Sequence, residues 1–231
     1  MFKRKKQTET SKIRHLIAQL NPTSPITEQY RTVRTNLQFS AVDGALQAIL
    51  ITSPGPAAGK SITAANLAVV YAQQKMKTLL IDADLRKPTV HYTFRLNNLK
   101  GFSNVLINES TLEDAVQRSD IEQLDVLTSG PLPPNPAELL ASNRMKDILN
   151  EMKQTYDFII FDTPPTLAVT DAKILANIVD GTLLIVRSGA TEIADALKAK
   201  ETLETAKAPI IGSVLNDVEK KDMPYYTYYG E

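Results

Sequence analysis

The chain contains no cysteine. That excludes a disulfide scaffold, a thiolate metal site and a cysteine nucleophile, and it is compatible with a reducing compartment. Net charge is also missing: Lys+Arg is 26 and Asp+Glu is 26, so the formal balance is zero. A zero balance gives no support to bulk electrostatic binding of nucleic acid, and no nucleic-acid partner is expected. No stretch approaches the ~20 apolar residues that span a bilayer. The opening Met1-Phe2-Lys3-Arg4-Lys5-Lys6 is basic, but no apolar run follows it as a signal peptide requires. That basic run reads either as a solvated tail or as a contact for an anionic membrane surface or acidic partner. Internal repeats and low-complexity tracts are absent as well.

What remains is ordinary for a globular chain: 231 residues, 43% hydrophobic and 23% charged, enough for one large domain with a full core. The placement of tyrosine is not ordinary. Four of the 8 (Tyr225, Tyr226, Tyr228 and Tyr229) fall in the last 7 residues. Three regions are expected: a basic arm or linker over 1–25, ending in Asn21-Pro22-Thr23-Ser24-Pro25; a domain over 26–221; and a tyrosine-rich tail over 222–231.

Within the domain, apolar runs alternate with helical patterns. Strands are expected at 46–52, 78–82, 124–128, 158–161, 182–186 and 210–215. Helices are expected at about 27–39, 61–74, 137–153, 170–178 and 191–205. In the first of these helices Tyr30, Val33 and Leu37 share one face. Alternation of this kind predicts an α/β fold, a mostly parallel twisted sheet with helices on both faces. In such sheets ligands sit beyond the carboxyl ends of the strands, and three motifs fall there.

The first is Thr52-Ser53-Pro54-Gly55-Pro56-Ala57-Ala58-Gly59-Lys60-Ser61-Ile62, a loop between a strand and a helix. Backbone N–H groups from Pro56's successors through Ile62 and the helix N-terminus suit phosphate; Lys60 can reach β- and γ-phosphates and Ser61 can ligate Mg²⁺. The strict Walker spacing is not met, since Pro54 occupies the first glycine position and Gly55 comes one residue late. The second is Asp82-Ala83-Asp84-Leu85-Arg86-Lys87-Pro88, in which one carboxylate can accept a proton, the other can hold metal-bound water, and Arg86 can steady phosphoryl oxygens. The third is Phe161-Asp162-Thr163-Pro164-Pro165, whose Asp162 stands where a carboxylate orients Mg²⁺. Arg187 and Asn216, at two further strand ends, could reach the base or ribose; a surface Arg and a turn Asn are the bland alternative.

Together with Glu28-Gln29-Tyr30-Arg31-Thr32-Val33-Arg34, Pro133-Pro134-Asn135-Pro136-Ala137-Glu138-Leu139-Leu140 and the tyrosine tail, these motifs resemble the bacterial tyrosine autokinases of capsule and exopolysaccharide synthesis, over Ser24 to Glu231. The resemblance implies a P-loop NTPase fold of the deviant-Walker type, ATP and Mg²⁺ as cofactors, and phosphorylation of Tyr225, Tyr226, Tyr228 and Tyr229 in trans. It implies Asp82 as activator of the tyrosine hydroxyl and Asp84 and Asp162 on the metal side, with Asp82 and Asp84 interchangeable at this stage. It further implies a ring-shaped homo-oligomer, an octamer among the sizes expected, with Glu28, Arg31 and Arg34 at the subunit contact. The expected setting is the cytoplasm, at the inner face of the plasma membrane, with a separate transmembrane adaptor whose cytoplasmic tail activates the kinase; a cognate phosphatase and other protein substrates would complete the set. Family loops carry Gly where this chain has Ala57, so a Cβ there is expected to narrow the loop or forbid a positive φ.

Two other readings compete. A partition- or division-type switch ATPase would share the fold, but Pro54 stands where that class has a signature Lys, and the tail lacks a basic amphipathic helix; its iron–sulfur relative needs cysteine. A nucleotide-sensing scaffold without catalysis is favoured only by Ala57.

Overall fold

The computed structural model describes residues 16–40 and 46–219. Seven strands form one sheet: β1 (Ala48–Thr52), β2 (Thr78–Asp82), β3 (Gln117–Arg118), β4 (Leu124–Leu127), β5 (Phe158–Asp162), β6 (Gly181–Arg187) and β7 (Ile210–Asn216). Their order is β3-β4-β2-β5-β1-β6-β7. Every pairing is parallel except β3 with β4.

Side chains alternate across this sheet, so two cores form. Ala48, Leu50, Leu79, Ile81, Ile159 and Phe161 face one layer. Ile49, Ile51, Leu80, Phe158, Ile160 and Leu183 face the other. The first layer is closed by α5 (Phe102–Leu106), α6 (Leu112–Ala115), α7 (Pro136–Leu140), α8 (Asn143–Thr155), α9 (Asp171–Ala176) and α10 (Ile193–Thr205). The second is closed by α1 (Ile17–Leu20), α2 (Pro25–Ser40), α3 (Lys60–Ala72) and α4 (Val90–Phe94). Burial on both faces explains why β1, β2 and β5 read as unbroken apolar runs rather than alternating ones.

The structure differs from the sequence reading in several places, among them the short helices α4, α5 and α6, which were not expected. Residues 16–25 are not an arm: Leu16 and Ala18 are buried, and Asn66 of α3 accepts from the Ala18 N–H at 2.9 Å while Gln73 donates to its carbonyl. The stretch 137–153 is two helices, because Ser142 stops α7 and caps α8 by accepting from the Met145 N–H. The two-residue β3 was not expected; so short a strand leaves no period to read. The basic run 3–6 and the tyrosine tail lie outside the described residues.

Candidate active site

Parallel strands end on the same rim of the sheet. Asp82 at the end of β2 is directly paired with Asp162 at the end of β5. The loop after β5 is fastened to β1: Thr163 donates through N–H and hydroxyl to the Ile51 carbonyl, Thr166 N–H to that of Ser53, and Thr52 Oγ1 to that of Pro164. The phosphate loop, opening α3, thus lies beside both acidic motifs.

Lys60 Nζ is the hub. It donates to Asp162 Oδ1 at 3.1 Å, Ser61 Oγ at 3.2 Å and Asp84 Oδ2 at 3.4 Å. Burial opposes its charge, but the attraction of Asp162, Asp84 and Asp82 outweighs burial and raises its pKa. Asp82 is fully buried. Its Oδ2 accepts from the N–H groups of Thr89 and Val90 at 2.8 and 2.9 Å. Burial first, and the Asp162 charge second, push its carboxyl up to about 7 against those hydrogen bonds. Burial likewise raises Asp162, with Lys60 and Ser61 opposing. Asp84 Oδ1 is held by the Lys87 N–H at 3.0 Å and the Arg86 N–H at 3.4 Å.

Two buried oxygens, Asp82 Oδ1 and Asp162 Oδ2, have no protein partner. A buried acceptor left open is costly unless something else donates to it or coordinates it. Asp162 Oδ2 therefore fits Mg²⁺ carried with its own waters, the usual way this ion is held by one or two carboxylates and a phosphate, and Asp82 Oδ1 is left to accept from a donor outside the chain. No all-protein cage of three or more His, Cys, Asp or Glu exists among the described residues.

The loop's backbone is shaped by two positive φ values. Gly59 has φ 91°, and a Cβ there would lie 2.0 Å from Asn216 Nδ2. Ala57 adopts φ 61°. The expectation that a Cβ would forbid a positive φ is therefore overturned, and Ala57 is exposed. Pro56 is also exposed, Ala58 is buried, and Ser61 and Ile62 form the first turn of α3.

Four of the expected site residues are engaged otherwise. Asn216 donates to the Ala58 carbonyl at 2.9 Å, so it braces the phosphate loop. Arg187 pairs with Asp217 at the surface. Arg86 is tied by a two-pronged bridge, Nε to Asp171 Oδ2 at 2.8 Å and Nη2 to Oδ1 at 2.9 Å, and is not directed at the Lys60 cluster. Arg34 is buried in the α2–α3 interface, where Nη1 donates to the Val70 carbonyl in the last turn of α3; only Glu28 and Arg31, themselves paired, remain on the accessible side of α2. Asp171, fully buried in the first turn of α9, is the residue that sequence reasoning missed. Its only sequence signal was an acidic residue opening a helix, which caps alone would explain.

The family description "AAA domain" matches residues 47–197, a span that covers the phosphate loop and both acidic motifs. The chain is 54% identical to the tyrosine-protein kinase YwqD of Bacillus subtilis, over 94% of this chain and 92% of that protein. It is 46% identical to the putative tyrosine-protein kinase CapB of Staphylococcus aureus, over 91% and 92%. The kinase domain of the Escherichia coli tyrosine kinase ETK superposes with a TM-score of 0.87 at 36% identity, covering 94% of this chain and 85% of that one. The fold is thus a P-loop NTPase fold, and the chain belongs to the bacterial tyrosine-protein kinases.

Proposed function

We propose that this chain is an ATP- and Mg²⁺-dependent autokinase that phosphorylates Tyr225, Tyr226, Tyr228 and Tyr229 of a second copy. The observation that carries this reading is the convergence of Lys60, Ser61, Asp82, Asp84 and Asp162 from three motifs at one rim, with two buried carboxylate oxygens left open.

The residues divide the work. Phosphate-loop N–H groups and the N-terminus of α3 bind the phosphate chain. Lys60, charged and raised in pKa, exchanges its carboxylate partners for β- and γ-phosphate oxygens. Asp84, Asp162 and Ser61 would hold Mg²⁺, which supplies charge neutralisation at the transferring group. Asp82 takes the tyrosine proton at Oδ1 as the phenol oxygen bonds to phosphorus and the bond to the leaving diphosphate breaks. A carboxyl near 7 is matched to that task at neutral pH. Oδ2, pinned by two N–H groups, fixes the orientation of Oδ1. Arg86 acts at one remove, by fixing the loop that carries Asp84.

The same reading includes a ring-shaped homo-oligomer built with Glu28 and Arg31, activation by the cytoplasmic tail of a membrane adaptor, and control of capsule or exopolysaccharide synthesis at the inner membrane face. Among the described residues no helix is long and apolar enough to cross a membrane, so attachment would come through the adaptor. Incubation with labelled ATP, Mg²⁺ and an adaptor tail, followed by mapping of the label, tests the reading: label on the four tail tyrosines is expected. Free phosphate accumulating over an unlabelled tail would favour the switch ATPase instead.

A further inference from the structure

A cavity of about 350 Å³ lies between α5, the Pro131–Asn135 loop and the start of α7. The loop leaves the carboxyl end of β4, and β4 pairs in parallel with β2, which ends at Asp82. The loop that lines the cavity therefore starts from the same rim as the Lys60 cluster, next to the strand that carries the proposed base. Its walls are apolar: Ile107, Pro131, Leu132, Pro134 and Leu139. Ile107 and Leu132 are 45% and 60% exposed, so the apolar wall is open to a partner. Its rim is acidic: Glu109 and Glu138 are both exposed and held in place by Asn104 and Asn135.

We propose that this groove docks the C-terminal tail of a second copy, with Lys220 and Lys221 on Glu109 and Glu138 and the Met223-Pro224-Tyr225-Tyr226 segment on the apolar walls. The chemistry on the two sides matches: a lysine pair followed by apolar and aromatic residues, against a carboxylate pair bordering proline and leucine. The occupant is taken from another copy, as the in-trans reading requires; the chain's own lysines would reach only with backbone and side chains fully extended. β7 lies five strand intervals from β4, roughly 24 Å at the usual spacing. Lys221 follows Asn216 by five residues, at most about 18 Å of extended chain. A tail docked there would run along the rim toward Asp82. A three-residue step from Tyr225 to Tyr228 covers ~10 Å, the width of two strands, so one tyrosine pair can sit in the groove while the other lies at the site.

This inference rests on the autokinase reading, and the two fail differently. The acceptor is the full chain carrying Lys60→Met; the enzymes are the unaltered full chain and the same chain with Glu109→Lys and Glu138→Lys. The changed enzyme should need ~10-fold more acceptor for half-maximal labelling, with maximal rate within about twofold. An acceptor with Lys220→Glu and Lys221→Glu should show the same defect with unaltered enzyme, and pairing the two changed chains should restore it. Unchanged half-saturation, absence of restoration, or an equal defect toward an unrelated tyrosine polymer would each overturn the docking. No tail label from the unaltered pair would instead remove the autokinase reading, and the docking with it.

Discussion

In the proposed mechanism, Asp82 links catalysis to stability. Its carboxyl sits at about 7 in the folded chain and near 3.9 when unfolded. Between those values the folded state holds a proton that the unfolded state releases, so this group's contribution is full below about pH 4 and lost as pH rises through 7. Without nucleotide, Asp82→Asn should therefore stabilise the protein more at pH 8.5 than at pH 5, by up to about 3 kcal/mol in the limit of a fully independent group; urea titrations at the two pH values measure it. Tail labelling should fall in the same variant, and in the parent it should rise through pH 7 as Asp82 becomes a base. Ala57 offers a simpler test. A non-glycine residue in the left-handed region costs ~1 kcal/mol, so Ala57→Gly should raise the unfolding free energy by a part of that, with labelling retained. The carboxylates were legible in the sequence because they stand at or just after an apolar run, where a polar residue stands out, and Lys60 was legible from the Ala58-Gly59-Lys60-Ser61 motif that opens a helix. Arg86 was legible as a site residue but not in its role, since its partner Asp171 is 85 positions away in sequence and only folding brings the two together.

Helices and loops carry the positioning. The Arg86–Asp171 bridge ties the segment after β2 to α9, and so fastens the Asp84 loop to the element that follows β5. Its two halves are unequal: the Asp171 side chain is fully buried and that of Arg86 is 39% exposed. Removing the guanidinium strands a buried carboxylate, whereas removing the carboxylate leaves a cation that water can reach. Arg86→Met should thus destabilise more than Asp171→Asn, roughly 2–3 against about 1 kcal/mol, read by denaturant unfolding. The strands that pair in parallel were legible to within two residues because burial on both faces writes continuous apolar text. The elements missed were all short (α1, α4, α5, α6 and β3) and too brief for a period to show. They are held by tertiary contacts such as Asn66 on Ala18 rather than by their own pattern.

At the scale of the whole molecule, the fold presents two separate surfaces, the carboxylate rim and α2. Lys60→Met should abolish tail labelling while leaving the circular dichroism of the folded chain intact, because Lys60 lies at the rim and not in either core. Glu28→Ala with Arg31→Ala should lower the mass of the proposed oligomer in light scattering without loss of monomer stability. Arg34→Ala should cost stability as well, since it unpairs the Val70 carbonyl inside the α2–α3 contact.

The Lys60 ammonium, set between Asp84, Asp162 and Ser61, has one more consequence, in the currency of linkage. A tethered cation on the oxygens that a divalent ion needs is an intramolecular competitor. Phosphate draws that ammonium away; a free metal ion must evict it unaided. Nucleotide and Mg²⁺ should therefore each raise the affinity for the other, and by the same factor, as reciprocity demands. Calorimetric titration in both orders would show weak binding of either alone and an equal gain in each direction.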